Sequence, residues 1–365
     1  MNYRPIFIYA RRAAFMLVGI VAFLCLQAQQ KSSRLFSSEE ILKLTISGDV
    51  RPLLRDMSDA KKYYNISLQY PDGDSSYVID LKARQRGKFR RQSGNCGLPP
   101  ILLNFPKNDT VKNSLFKKQD KLKLVVTCVP GDYVEREYLV YKALQLLTPV
   151  SFKVRLVEIT LQGEKLSKNQ QRPFIGYLME SEEELAARNE GEMLDEKIQM
   201  GPGQLDPDSY LSMMFFQYMI SNVDWSSQFQ HNVRLFVPKQ GGLPRFIPYD
   251  FDHSGLVNAP YAQPPVELNM ISVRERRYRG VCDNDTARIV NTVTRFLENK
   301  EAILKLYRET TLIEASSKRE ALNFLEEFFD DINSERRLSQ IVSTNCNSNS
   351  GGNIIIGGLP KKNNN

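Results

Sequence analysis

Asn222-Val223-Asp224-Trp225, His231-Asn232-Val233-Arg234-Leu235-Phe236 and Pro248-Tyr249-Asp250-Phe251-Asp252 decide how this chain of 365 residues is read. An acid, an amide and an acidic pair follow a helical pattern and flank two strand-like runs. Both histidines of the chain, His231 and His253, fall in the same window. Polar groups set among Phe, Ile, Leu and Val must be hydrogen-bonded, metal-bound or exposed. Acid, amide, acid is also the order in which a phosphoryl-transfer site presents the group that orients the attacking hydroxyl and the oxygens that hold its metal.

Upstream of this window, strand signals dominate from residue 40 to about 130. They fall at 41–46, 64–70, 77–83, 101–105 and 122–126, with a hairpin turn at Pro71-Asp72-Gly73-Asp74. Residues 133–147 read as a helix with Val134, Tyr138 and Tyr141 on one face, ended by Thr148-Pro149. Strands at 152–161 and 174–179 follow. The sum is a mostly antiparallel sheet with one inserted helix over 40–180. From 181 to 342 the pattern is helical. Asp206-Pro207 starts a buried helix, residues 286–307 form an amphipathic one, and a last helix runs over 319–341 behind the capping box Ser317-x-x-Glu320. The tail, 343–365, is rich in Asn, Ser and Gly and is expected to be disordered.

Residues 1–28 read as an export signal: a basic start ending at Arg11-Arg12, an apolar stretch from Ala13 to Leu26, and Ala28 for cleavage. That stretch is shorter than the roughly 20 residues that span a bilayer, and no second such segment follows, so no membrane span is expected in the mature chain. Residues 29–39 read as a polar linker. The net charge of +7 is a mild excess. It suits phosphate-bearing ligands and does not argue for nucleic acid. The basic run from Arg84 to Arg91 reads as a solvated hairpin. Beyond the leader, Cys96, Cys128, Cys282 and Cys346 remain, enough for two disulfides in an exported chain. Cys96 and Cys128 sit at the ends of neighbouring strand candidates and are paired first. No Cys/His spacing here makes a zinc site.

With these motifs just past a sheet-to-helix junction, the chain resembles the CotH-type secreted and spore-coat atypical kinases, with HipA-like relatives. The resemblance covers roughly residues 77 to 260 and is carried by the three strings quoted first. It extends weakly to Arg86-Gly87, Lys121-Leu122-Lys123-Leu124 and Tyr177-Leu178-Met179-Glu180. It implies an α+β, two-lobed protein-kinase-like fold: an antiparallel-sheet N-lobe with one inserted helix and a mainly helical C-lobe. It implies ATP and Mg²⁺ or Mn²⁺ as cofactors and a hydroxyl on a protein or small molecule as acceptor. It makes Asp224 the catalytic aspartate, and Asn232, Asp250 and Asp252 the metal ligands. Lys123, or else Lys121, would reach the α- and β-phosphates, paired by Glu137 or else Glu135, and Glu180 would lie where backbone meets adenine. With the leader, it implies export to the periplasm, surface or surroundings of a bacterium.

The chain departs from the usual protein-kinase pattern. Asp224 and Asn232 are eight positions apart, the last motif is Asp-Phe-Asp, and no Gly-x-Gly-x-x-Gly loop exists. Two rival readings stand beside the phosphotransferase: a catalytically inactive kinase-like module for binding or surface assembly, and a metal-dependent phosphoester hydrolase that uses Asp250, Asp252 and both histidines directly. The run Arg274-Glu275-Arg276-Arg277-Tyr278-Arg279 reads either as a charged helix end or as a contact for an acidic or phosphorylated partner.

Overall fold

The structure is a computed structural model that describes residues 33–56, 58, 60–87, 98–107, 109–344 and 346. The stretch read as an export signal (1–28), Cys96 with its expected pairing to Cys128, residues 88–91 of the basic run and nearly all of the tail lie outside the described residues.

Seven strands carry the first half: β1 (Leu42–Gly48), β2 (Tyr64–Asp72), β3 (Ser75–Gln85), β4 (Ile101–Asn104), β5 (Lys121–Val126), β6 (Val154–Leu161) and β7 (Phe174–Met179). Helices α1 (Val50–Arg55), α2 (Asp109–Lys112) and α3 (Tyr133–Leu147) lie between them. Alternating apolar residues in β1, β2 and β3 point to one side, as a period of two requires. The β2–β3 hairpin turns at Gly73, whose φ of 63° suits a two-residue loop.

The sheet does not stay open. β1 pairs in parallel with β6, from Leu42↔Val157 to Ile46↔Leu161, and the order β1-β2-β3-β4-β5-β7-β6 closes into a barrel. This corrects the expectation of a two-lobed kinase-like fold with an antiparallel-sheet N-lobe. The physical reason is that β1 buries its inward row, Leu42, Leu44 and Ile46, only by joining a strand more than a hundred residues away. The barrel is filled by those three with Ile66, Leu68, Leu103, Leu122 and Ile159, among others.

Strand β6 is buried on both faces because α3 covers the outside of β6 and β7. Where β5 and β7 pass, Gly176 lets the backbones approach: a Cβ there would stand 2.6 Å from the Val125 carbonyl oxygen. The stretch read as a linker is partly docked. A 3-10 turn at Arg34–Phe36 buries Leu35 and Phe36, and Glu39 accepts from Lys142 and Tyr138 of α3.

The second half holds α4 (Glu182–Arg188), β8 (Gly191–Met193), α5 (Pro207–Met219), β9 (Val233–Pro238), β10 (Arg245–Pro248), α6 (Thr286–Glu298), α7 (Lys300–Glu309), α8 (Ala315–Asn333) and α9 (Glu335–Ser339). It is less purely helical than expected, since β10, β9 and β8 form a three-stranded sheet. Asp206 caps α5 through the Ser209 N–H, with Pro207 in the first turn, as read. The single helix expected over 286–307 breaks at Asn299, whose side chain caps the Arg295 carbonyl. Ser317 lies inside α8 and is not a cap; its hydroxyl accepts from Arg136 of α3 at 2.6 Å. One apolar cluster joins α3 and the outer faces of β5, β6 and β7 to the helices, so helix and barrel share a core. Cys282 is disulfide-bonded to Cys346. Among the described residues, no helix is long and apolar enough to cross a membrane.

Glu180, just past β7, is buried against Arg188 of α4. Both carboxylate oxygens accept from the guanidinium at 2.9 Å, and Arg188 also reaches the Pro149 and Ser151 carbonyls. Burial pushes the Glu180 carboxyl up, opposed by Arg188. Arg188→Met is expected to destabilise the fold by about 3–5 kcal/mol, because it strands a buried carboxylate. Urea unfolding of the single variant and of Glu180→Met/Arg188→Met checks this, with the double variant recovering part of the loss.

Candidate functional site

The site forms where α3, β5, and the ends of β9 and β10 meet. Between Asp224 and Asn232 the chain folds back on itself. Ser226 and His231 exchange both backbone hydrogen bonds at 3.0 Å, which returns His231 and Asn232 to Asp224. His231 Nε2 lies 2.9 Å from Asp224 Oδ1, and Asn232 Nδ2 donates to Asp224 Oδ2 at 3.0 Å and to its backbone oxygen at 2.9 Å. Burial opposes the charge on Asp224, yet the hydrogen bond and charge of His231 outweigh it and hold the carboxyl below its ordinary value. The reciprocal holds for His231. Burial disfavours the imidazolium, but Asp224 raises its pKa above the usual 6.5.

The β9–β10 ladder continues one step beyond Pro248, where the Tyr249 N–H donates to the Asn232 carbonyl. Asn232 and Asp250 then both turn left-handed, with φ of 51° and 61°. Asn and Asp tolerate that region better than other side chains with a Cβ. Helix α3 clasps the turn that follows. The Tyr141 hydroxyl accepts the Asp250 N–H at 2.9 Å, and Glu137 Oε1 accepts the Phe251 N–H at 3.1 Å. Phe251 is fully buried against Tyr141 and Phe216, which anchors the turn between its two acids.

Glu137, Asp250 and Asp252 offer carboxylate oxygens that all lie within 4.8 Å of one another; Glu137 and Asp252 are buried and Asp250 is exposed. Three hard oxygen donors at this spacing fit Mg²⁺ or Mn²⁺, which take carboxylates and complete their shell with water or phosphate. Asn232, expected as a metal ligand, has its amide nitrogen on Asp224. Glu137, expected to pair with a lysine, stands with the carboxylates.

Lys123, in mid-β5, lies with its Nζ 4.5 Å from the centre of the Tyr249 ring. Burial pushes its pKa down to about 8, Arg86 adds to that, and Asp250 and Glu182 oppose it. Lys121 is exposed, 4.0 Å from Asp120. Glu180, held by Arg188, donates its backbone N–H to the Lys153 carbonyl. Asp250 acts electrostatically on Asp224, His231 and Lys123 alike. His253 packs its ring against Tyr261, 5.7 Å between centres.

Sequence reading missed Tyr141, Tyr249 and the pairing of His231 with Asp224. Tyr141 had a signal, since it stands one helical turn from Glu137. The arginine run at 274–279 is largely taken up inside the protein. Arg274 and Arg276 lie over the Phe324 ring, Arg276 also meets Glu327, and Arg277 meets Glu275.

No protein-family model and no curated protein matches this chain. Chains in solved structures do match. One is the crystal structure of a Helicobacter pylori proinflammatory kinase, CtkA, 11% identical, covering 68% of this chain and 94% of that one with a TM-score of 0.38. That overlap is too loose to carry an activity across.

Proposed function

We propose that the protein transfers a phosphoryl group from ATP to a hydroxyl, on a protein or another acceptor outside the cytoplasm, with the help of a divalent cation. The observation that carries this reading is the three-carboxylate cluster of Glu137, Asp250 and Asp252, with Lys123 over the ring of Tyr249, the neighbour of Asp250, and Asp224 hydrogen-bonded to Asn232, whose carbonyl holds the Tyr249 N–H. Bound there, Mg²⁺ or Mn²⁺ would neutralise charge on the phosphate oxygens. Lys123 and Arg86, which repel each other, would gain an anion to share. Asp224 stays ionised and accepts the hydrogen bond of the incoming hydroxyl, while His231 and Asn232 fix its direction. A carboxylate held at low pKa is a weak base but a good orienting group, which suits a loose transition state with late proton loss. The likeness of the three motif strings to CotH-type kinases agrees with this chemistry.

The hydrolase reading asked both histidines to hold the metal. His231 has its Nε2 committed to Asp224 and the His253 ring lies on Tyr261, so neither supports it. The inactive binding module differs from the enzyme only in outcome. With γ-labelled ATP, Mg²⁺ or Mn²⁺ and proteins of its own source, label transfer is expected, with a nucleotide-dependent rise in melting temperature. A rise without transfer favours the binding module; no rise with either metal ends both nucleotide readings.

Lys123→Met separates site from scaffold. A lysine whose folded pKa is depressed from 10.5 to about 8 costs stability below pH 8, and that cost is relieved as pH rises between the two values. At pH 7 the variant is expected to melt no lower than wild type without ligand, yet to lose most of the nucleotide-dependent rise.

A further inference from the structure

Arg279, the last arginine of the 274–279 run, is not at the surface. It is 8% exposed, and its guanidinium stacks 4.6 Å from the ring centre of Trp225, itself buried. One nitrogen, Nη1, donates to the carbonyl oxygens of Val223 at 2.5 Å and Trp225 at 2.8 Å. Those residues stand immediately before and after Asp224. The stretch from Val273 to Arg279 is tied to the same loop a second time, through Ser221 Oγ, which donates to the Val273 and Glu275 carbonyls. Three residues beyond Arg279, the chain is fastened by the Cys282–Cys346 disulfide.

We infer that Arg279 is a positioning residue: its Nη1 ties together the carbonyls of Val223 and Trp225, the residues on either side of Asp224, and so sets where that carboxylate points. A buried cation shared by two carbonyls, with its plane stacked on Trp225, defines an orientation that a lone hydrogen bond leaves free to rotate. Burial pushes the Arg279 pKa down to about 10, so it stays charged at neutral pH, and its charge also favours the ionised form of Asp224. The cation–π contact with Trp225 holds the guanidinium flat in place.

The inference rests on the phosphotransferase reading for its kinetic arm only. Its second arm uses Trp225, the one tryptophan of the chain, as a reporter. In the full chain, Arg279→Gln is expected to lower kcat about 100-fold, the scale of a misaligned reacting group, with the KM for ATP unchanged. Trp225 emission moves to the red and acrylamide quenches it more readily. Arg279→Lys recovers part of kcat, since it keeps the charge and loses the planar stack on Trp225. Arg308→Gln, at an exposed ion pair with Glu301, serves as the control and moves neither readout.

Wild-type kcat and wild-type quenching in Arg279→Gln overturn the inference, and so does a rise in KM with kcat preserved. If that variant does not fold, Arg279→Lys decides: it must show raised quenching and a lower kcat, and equality with wild type in both overturns the idea. If the wild-type protein transfers no phosphate, the functional reading fails by itself, and quenching of Trp225 alone tells whether Arg279 holds the loop.

Discussion

Asp250→Asn is expected to remove phosphoryl transfer while leaving the ligand-free protein at least as stable as before. Asparagine is the right replacement because residue 250 is left-handed, and alanine there would add about 1–2 kcal/mol of backbone strain that confuses the result. The variant keeps the shape and the backbone bond to Tyr141, and removes one charge from three crowded carboxylates. Like charges at this spacing repel when no cation lies between them, so their relief favours the metal-free fold. The same charge is what a divalent cation needs. Losing several kcal/mol of transition-state charge stabilisation is on the order of a thousand-fold in rate. The check is melting temperature with and without Mn²⁺, beside the transfer assay. A variant that keeps both transfer and the metal-dependent shift removes Asp250 from the chemistry.

Asp224→Asn is the second large effect, with transfer falling about 10²- to 10⁴-fold and nucleotide and metal binding retained, since neither depends on that carboxylate. The variant also carries a signature in pH. Asp224 is depressed in the folded protein, so its contribution to stability is present above 3.8 and is lost as pH falls through its folded value. His231 is raised, so its contribution is present below 6.5 and is lost as pH rises through its folded value. The pair therefore stabilises the fold most between those limits. In the variant, His231 keeps its burial and loses its carboxylate, so its pKa drops below 6.5. Melting curves from pH 3 to 9 should show the difference between the two proteins shrinking toward both ends. A constant difference across that range would falsify the ion-pair account.

Local signals were legible and long-range ones were not. The β2–β3 hairpin declared itself through Asp72-Gly73 between alternating runs, and α5 through Asp206-Pro207, because a two-residue turn and an N-cap are chemistry of neighbours in sequence. Closure of the barrel was hidden, since nothing in Leu42–Gly48 names Val154–Leu161 as its partner. At the site, the three motif strings marked Asp224, Asn232, Asp250 and Asp252 as polar residues in apolar surroundings. That Glu137 stands beside Asp250 and Asp252 was not legible, because helical spacing gives a face but not what that face meets. Arg279 was invisible for the same reason, as one of five arginines in the stretch from 274 to 288 whose solvated reading fits composition alone.

The parallel seam between the first and sixth strands also sets a timetable. Residues 42–48 leave the ribosome long before 154–161, and until then one edge of the growing sheet has no neighbour. Such late pairing slows folding and lengthens the time during which a bare strand can recruit another copy. The barrel cannot lock shut until nearly half of the chain has been made.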